Sequence, residues 1–266
     1  MGAEDELLAV AVSVAEEAAE LAQRSRPAAV RDVSTKSSPT DVVTAADLAV
    51  EELVRARLAA RRPGEPVFGE EAGGSAAAPG QVTWVVDPID GTVNYLYGFP
   101  WYGVSLAAQV DGVSVVAAVV EPASGRCWTA VRGGGAWLDG APLRVSDATS
   151  LDVSLVATGF GYKAERRERQ AAGVAELLPR VRDIRRAGAA SLDLCAVAAG
   201  WVDGYFEHGL SRWDWAGGAL VAAEAGAVVH LPDTEPSLGP DLTFAAAPGI
   251  AAELHAAVID VGLTRI

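Results

Sequence analysis

The sequence is poor in the residues that build disulfide frameworks and zinc sites. Of its 266 residues two are cysteines, Cys127 and Cys195, and three are histidines: His208, His230 and His255. Two cysteines in separate segments are typical of small buried apolar residues, and they argue against a disulfide framework or a thiolate zinc site. None of the histidines lies in a metal-binding motif. Any metal site in this chain is therefore expected to use oxygen ligands.

Long apolar runs are also absent. No stretch of about 18 apolar residues is free of charges and helix breakers, which argues against a membrane span. The sequence opens with the acidic residues 4–6 and lacks the basic start and apolar block of a secretory signal. We therefore expect a mature cytoplasmic protein.

Positive charge is scarce. Lysine and arginine number 21 against 35 aspartates and glutamates, giving a formal net charge of −14 and a pI near 4.6. This charge would repel nucleic acids and anionic membranes at long range, so neither is expected as the main partner. An acidic protein that handles a phosphorylated substrate needs local positive charge, which bound metal would supply. The length and apolar content allow one large domain or two intimate ones.

The chain is expected to be organised around the stretch 84–94, which has the sequence WVVDPIDGTVN. A buried strand predicted at 82–86 ends in two carboxylates, Asp87 and Asp90. Pro88 fixes φ and keeps the backbone extended, so the two side chains can converge on one point. Two anions held so close require a proton or a cation between them, and a hard divalent metal is suitable. The same residues are also compatible with a simple polar turn.

The residues around this stretch add possible ligands. Gly91 allows a sharp turn that leaves the backbone N–H groups of Gly91 and Thr92 free to hold an anion such as phosphate. A second acidic pair, Glu70 and Glu71, follows a short strand predicted at 67–68. A short excursion through the flexible connection 72–80 could return the chain beside Asp87. Taken alone, the pair is more typical of solvated surface glutamates, because glutamate is mostly exposed in proteins.

A third acidic position is Asp214, followed by three small residues at 216–218. As the predicted first residue of a helix over 214–225, Asp214 can cap that helix. The small residues indicate close approach to another element. Glu207, at the end of a predicted strand, could reach the same cleft, and His208 beside it could line the pocket.

The pattern of elements predicts two different halves. In the first, two helices precede antiparallel strands at 103–109, 113–120, 126–131 and 136–138, which is an α+β pattern. The helices are predicted to bury Leu7, Ala11, Val14, Ala18, Leu21, Leu48, Leu53, Val54 and Leu58. In the second half strands and helices alternate, which is typical of a layered α/β unit with helices on both faces. A boundary near 147–151 would separate an N-terminal part, 1–148, from a C-terminal part, 149–266.

These motifs resemble those of the inositol monophosphatase family of magnesium-dependent, lithium-sensitive phosphatases. Three signatures match in order and spacing over nearly the whole chain: 69–71, then 84–94, then 213–214 with 224–226. The early residues Lys36, Asp41, Thr44 and Asp47 fit the family's N-terminal pattern. The resemblance implies the family's sugar-phosphatase fold, a layered α-β-α-β-α sandwich. Together with the apolar first half it also predicts a homodimer.

The resemblance further implies roles for single residues. The implied metal ligands are Glu70, Asp87, Asp90, Asp214 and the backbone carbonyl of Ile89. The implied catalytic residues are Glu70, Thr92 and Asp90, with Glu70 and the Thr92 hydroxyl positioning the attacking water. The implied substrate contacts are Gly91, Thr92, Ala190, Ser191, Glu207 and Asp214, with the turn 188–191 along the substrate. Possible supporting residues are Lys36, Asp41, Asp47 and Glu71.

The implied chemistry agrees with the physical requirements of phosphate ester hydrolysis. A phosphate monoester repels a nucleophile, and charge accumulates on the leaving oxygen in the transition state. Two or three Mg²⁺ ions in a carboxylate cluster would answer both problems, and all-oxygen ligands favour magnesium over zinc. We expect inositol monophosphate as the substrate. Histidinol phosphate, fructose 1,6-bisphosphate and a non-catalytic metal-binding relative stay open, although the presence of Glu70 and Thr92 argues for an enzyme.

Overall fold

The structure, a computed structural model, describes residues 2–29, 33–35, 42–264 and 266. Helix α1 spans Ala3–Ala29, strands β1 (Val33–Thr35) and β2 (Val42–Thr44) pair antiparallel, and helix α2 spans Ala45–Arg61. Both long helices were predicted. The predicted apolar face of α1 is buried at Leu7, Ala11, Val14 and Ala18, and Leu21 is half-buried.

Helix α2 presents a buried stripe that includes Val50, Val54 and Leu58. Leu53 packs at the edge of this stripe and is half-buried. The prediction that Leu48 is buried was wrong: its side chain is 55% exposed. Leu48 is two residues from Val50 and six from Val54, so at 3.6 residues per turn it points away from the face that carries them.

The first sheet has seven strands in chain order, and β4 and the elements after it follow the predicted meander. Its strands are β3 (Val67–Gly69), β4 (Val82–Asp90), β5 (Gly103–Val110), β6 (Val113–Glu121), β7 (Arg126–Val131), β8 (Gly135–Leu138) and β9 (Ala141–Pro142). Only the β3–β4 pair is parallel. The short helix α3 (Thr92–Tyr97) and strand β9 were not predicted. Helices α1 and α2 cover one face of this sheet and share a core with it.

Strand β4 continues four residues beyond its predicted end, through the acidic motif. Its pairing with β5 shifts register between Asp87 and Asp90. The shift follows from Pro88, which has no N–H to donate to the neighbouring strand.

The second half alternates strands and helices as predicted. Its elements are β10 (Leu155–Thr158), α4 (Ala164–Leu177), β11 (Asp183–Arg185), α5 (Ala190–Ala198), β12 (Gly204–His208), α6 (Arg212–Glu224), β13 (Val228–His230), β14 (Leu242–Ala246) and α7 (Pro248–Asp260). The five strands form a sheet in the order β11-β10-β12-β14-β13, parallel on the β11 side and antiparallel on the β13 side. A 3₁₀ turn at Leu151–Val153 precedes β10, and β13 was not predicted.

Helices α5 and α6 lie between the two sheets. The largest core cluster joins Trp128 of the first sheet, Leu194 and Leu220 of these helices, and Phe244 of the second sheet. With α1 and α2 on one outer face and α4 and α7 on the other, the layers follow the predicted α-β-α-β-α order. The division at 148 stays a prediction. Within the described part of the chain, no helix is long and apolar enough to cross a membrane.

Candidate active site

Three carboxylates, two of them buried and the third half-buried, converge where the two halves meet. Asp87 and Asp90 lie on β4, on either side of its register shift, and Asp214 comes from the first turn of α6. One carboxylate oxygen from each lies within 4.8 Å of the other two. Asp87 is 2% and Asp90 is 6% exposed. The structure thus brings together three of the residues expected to bind metal.

Among the described residues, no arginine or lysine forms a salt bridge with these three carboxylates. Burial and the neighbouring carboxylates of Glu70 and Asp90 raise the pKa of Asp87 and of Asp214 well above the ordinary range. Burial also raises the pKa of Asp90, to about 6. Closely spaced carboxylate oxygens of this kind suit a hard divalent cation, which would restore their charged forms. The donor set therefore fits a magnesium site.

Glu70 lies beside this cluster. Strand β3 runs parallel to β4 with Gly69 opposite Val86, so Glu70 follows β3 next to Asp87 and lines the same cavity. The connection 72–80 thus returns the chain beside Asp87, as predicted from the sequence. Glu71 is not among the residues that line the cavity.

Glu51, a residue that the sequence analysis missed, holds the segment that carries Glu70. Its carboxylate is 2% exposed and accepts the N–H groups of Glu71 at 2.7 Å and Ala72 at 3.0 Å. Arg55 pairs with the same carboxylate at 2.8 Å. A Cβ at Gly69 would lie 2.5 Å from it, so only glycine fits there. A glutamate in the middle of a helix gives no sequence signal for such a role.

The turn after β4 begins at Gly91, whose φ of 88° is in the left-handed region that favours glycine. The Thr92 hydroxyl follows and lies 3.1 Å from the carbonyl oxygen of Ile89 and 3.2 Å from Asp47 Oδ1. Asp47 also accepts the Thr44 N–H at 2.8 Å, as part of the capping box of α2. The start of α2 is thereby tied to the site. Lys36 and Asp41 lie outside the described residues.

The start of α5 holds Asp90. The backbone N–H groups of Ala190 and Ser191 donate to its carboxylate at 3.1 and 2.7 Å, and the Ser191 hydroxyl donates as well. Amides at a helix N-terminus favour a negative charge. Ala190 lines the cavity together with Gly188, whereas the fully buried Ser191 is turned toward Asp90.

Glu207 also lines the cavity and lies near the end of β12. The Tyr205 hydroxyl donates to its carboxylate at 2.7 Å. Burial raises the pKa of Glu207 to about 7, and the Tyr205 hydrogen bond and the charge of Arg186 oppose that rise. A Cβ at Gly159 would lie 1.9 Å from this carboxylate, so the adjoining loop requires glycine.

Two predictions about the residues beside Glu207 and on α6 have different outcomes. His208 lines the cavity, as expected, and burial lowers its pKa to about 4. Asp214 is not the first residue of its helix: Ser211 is the N-cap, and Asp214, three residues later, accepts the Ser211 N–H at 2.6 Å. The sequence Ser-x-x-Asp forms a capping box, in which the acidic residue pairs with the N-cap backbone instead of capping the helix itself.

The cavity measures about 310 Å³, which suits a small metabolite. One wall was not predicted from the sequence and is formed by Phe160, Gly161, Tyr162, Lys163, Arg166 and Arg186. The guanidinium of Arg186 lies 6.0 Å from the centre of the Phe160 ring, and Arg166 pairs with Asp241. These residues belong to a loop, the start of a helix and a strand end without a recognisable motif. Only the tertiary fold brings their positive charge to the acidic centre.

Comparison with known proteins gives consistent matches over most of the chain. Residues 3–261 match the model of the inositol monophosphatase family. Inositol-1-monophosphatase of Mycobacterium leprae is 53% identical over 235 residues, which cover 85% of this chain and 81% of that protein. The Nus factor SuhB of Escherichia coli is 40% identical over 226 residues, covering 84% of each. The solved structure of Mycobacterium tuberculosis SuhB has a TM-score of 0.83 at 44% identity and covers 96% of each chain.

Proposed function

This chain belongs to the inositol monophosphatase family, and we propose that it hydrolyses a small phosphate monoester, most favourably inositol monophosphate, with Mg²⁺ as cofactor. The observation that carries this proposal is the convergence of Asp87, Asp90 and Asp214 within 4.8 Å in a cavity of metabolite size. The inositol-1-monophosphatase name of the Mycobacterium leprae relative supports the same substrate.

The three aspartates would hold the metal, joined by Glu70 and the backbone carbonyl of Ile89, in a centre of two or three ions. When bound, Mg²⁺ lowers the pKa of a coordinated water and stabilises the charge that develops on the leaving oxygen. Asp90 is already oriented for this task by the amides of Ala190 and Ser191.

Glu70 and Thr92 would position the attacking water. Asp47 Oδ1 and the Ile89 carbonyl both lie within hydrogen-bond distance of the Thr92 hydroxyl, which can donate its single proton to either. The remaining lone pairs of the Thr92 oxygen can then accept a hydrogen bond from the water, while the Glu70 carboxylate can accept the water's other hydrogen bond. The backbone N–H groups of Gly91 and Thr92 would hold the phosphate oxygens.

Glu207 would bind the part of the substrate remote from the phosphate. Its buried carboxylate lines the cavity and can accept hydrogen bonds from substrate hydroxyls. The small side chain of Ala190 leaves room along the same wall. A polyol with several hydroxyls matches this end of the site.

A second candidate substrate is fructose 1,6-bisphosphate. It is favoured by the basic side chains of Lys163, Arg166 and Arg186, which line the same cavity as the carboxylates and could pair with a second phosphate. The amine of histidinol phosphate could pair with Glu207 but would meet these cations. Because the Escherichia coli relative is named a Nus factor, a non-catalytic role of this chain is a further alternative.

The test is magnesium-dependent phosphate release from inositol 1-phosphate, histidinol phosphate and fructose 1,6-bisphosphate, assayed in parallel with the Asp87→Asn variant as blank. We expect inositol 1-phosphate to be preferred by about 100-fold in kcat/KM, or ~2.7 kcal/mol of transition-state binding. A similar preference for fructose 1,6-bisphosphate would identify it as the substrate and indicate that the basic side chains bind its second phosphate. If no substrate releases phosphate although Mg²⁺ binds, the enzymatic proposal fails.

We also propose that the protein is a cytoplasmic homodimer that acts on a small phosphorylated metabolite without nucleic-acid or membrane partners. The family resemblance and the acidic charge support this proposal. Light scattering should give twice the chain mass of 27.4 kDa. A monomeric mass at micromolar concentration would contradict the dimer.

A further inference from the structure

Asp193 is a buried carboxylate with no assigned role. It lies on α5, whose residues are all buried, and it is 2% exposed. One oxygen, Oδ1, accepts the indole N–H of Trp101 at 3.0 Å. The other, Oδ2, has no hydrogen-bond partner among the described residues. Since burying an unpaired polar atom destabilises a fold, stability does not account for a carboxylate at this position.

The contacts of Asp193 join the two halves of the chain. Trp101 belongs to the first half, and its carbonyl oxygen accepts the side-chain amide of Asn94 at 2.7 Å. The same amide donates to the carbonyl of Ala187, in the second half, at 2.8 Å. It also lies 3.4 Å from the carbonyl oxygen of Gly188. These hydrogen bonds form a chain from Asp193 through Trp101 and Asn94 to residues 187–188, which we term the Asn94–Asp193 clamp.

The clamp holds the turn 188–191 against the start of α3. A Cβ at Gly91 would lie 3.1 Å from the carbonyl oxygen of Trp101 and 3.1 Å from Ala189 Cβ, so the two segments are in direct contact. The turn also supplies the Ala190 and Ser191 amides that hold Asp90. Any shift of the turn would therefore move a cavity wall and the donors to Asp90 together.

We propose that Asp193 is a positioning residue: through Trp101 and Asn94 it fixes the turn 188–191 against Gly91 and thereby orients Asp90. Asp193 does not line the cavity, so it acts without touching substrate. The activity readout of this inference rests on the proposed function, whereas its effect on Mg²⁺ affinity can be measured without any substrate.

The main test is Asp193→Leu, which is close in size and removes the buried charge. We expect the melting temperature of the metal-free protein to be unchanged or higher, because the substitution removes a buried charge with one unpaired oxygen and gives up a single hydrogen bond, that from Trp101. At the same time kcat/KM should fall about 100-fold, as expected for misplaced catalytic groups. Mg²⁺ affinity, measured by calorimetry, should fall about tenfold.

Two companion variants separate positioning from packing. Asp193→Asn keeps an oxygen that can accept the Trp101 indole N–H, and it should restore most of the activity. Trp101→Phe removes the donor and should resemble Asp193→Leu. Because both act through one contact, the double variant should lose little beyond the larger single loss. Additive losses would contradict the clamp.

Asp203→Leu is the matched control. Asp203 precedes β12, at the end of the strand away from Glu207, and accepts the Ser146 hydroxyl at 2.6 Å and the Leu155 N–H at 2.7 Å. Its loss should lower the melting temperature and leave kcat/KM of the folded protein unchanged. The proposal for Asp193 is overturned if Asp193→Leu behaves in this way, or if both its kcat/KM and its Mg²⁺ affinity match those of the unmodified protein. If the unmodified protein releases no phosphate, the proposed function fails, and the calorimetric comparison alone decides the role of Asp193.

Discussion

Two groups of carboxylates in this chain differ in what surrounds them. On α2, Asp47 accepts the N–H and hydroxyl of its N-cap residue, and Glu51 accepts two backbone amides and an arginine. Asp87, Asp90 and Asp214 face one another within 4.8 Å, although Asp90 also accepts the first amides of α5 and Asp214 the Ser211 N–H. The carboxylates on α2 are paired within the protein and stabilise the fold. The converging group is left with charge that a bound cation can use.

The largest expected effect comes from neutralising one of the converging carboxylates. Asp214→Asn should lower kcat/KM by at least about 1,000-fold, or ~4 kcal/mol, because a metal ligand is lost. Its metal-free form should be no less stable, since repulsion between like charges is relieved. Phosphate release and thermal unfolding in EDTA check the two halves of this prediction. A variant that keeps full activity would remove Asp214 from the metal centre.

Removing one of the paired carboxylates on α2 should instead lower the stability of the fold. Glu51→Ala leaves Arg55 and two backbone amides without their partner, and it should destabilise the fold by about 3 kcal/mol. Urea unfolding measures this loss. The neighbouring Glu52 is exposed, and Glu52→Ala should change stability by less than about 0.5 kcal/mol. Equal effects of the two substitutions would contradict the structural role of Glu51.

His208 should make the stability of the fold depend on pH, because burial favours its neutral form. Its pKa falls from 6.5 to about 4 on folding, so the unfolded chain binds its proton first as the pH drops. Stability from this residue is therefore complete above pH 7 and is lost progressively toward pH 4. Between pH 7 and pH 5 the loss should be about 2 kcal/mol. His208→Gln should show a flatter profile in urea unfolding, and an unchanged profile would refute the assignment.

The smallest effect is expected on the exposed face of α2. Leu48→Ala should change the free energy of unfolding by less than about 0.5 kcal/mol. Leu58→Ala, on the buried face of the same helix, should cost about 3 kcal/mol. The pair can be compared in one urea series. A large effect at Leu48 would mean that its exposed side chain is covered in solution, as a homodimer could do.

The elements with strong local patterns could be predicted from the sequence. The periodicity of α1, the capping signals of α2 and the alternation of β5 and β6 are local, and each gave the element within a few residues. Short elements without such a pattern, α3, β9 and β13, were missed. Leu48 was misplaced because apolar character alone does not fix which face of a helix is buried.

The site was predictable only in part for the same reason. Asp87 and Asp90 are close in sequence, so their convergence follows from local backbone geometry. The approach of Asp214 depends on the packing of α6 between the two sheets, and it was expected from the family resemblance. Glu51 and Asp193 carry no local signal, because their partners come from segments that meet only in the folded chain. The cavity wall formed by residues 160–166 and Arg186 was also missed, because these segments come together only in the folded chain.

The most direct measurement of the metal centre is calorimetric titration of Mg²⁺ into the metal-free protein, compared with Asp87→Asn and Glu52→Ala. If the converging carboxylates form the metal centre, Asp87→Asn should weaken binding by at least about tenfold, while Glu52→Ala should bind like the unmodified protein. Binding of Mg²⁺ to Asp87→Asn with unchanged affinity would contradict the assignment of the metal centre, and with it the proposed hydrolysis.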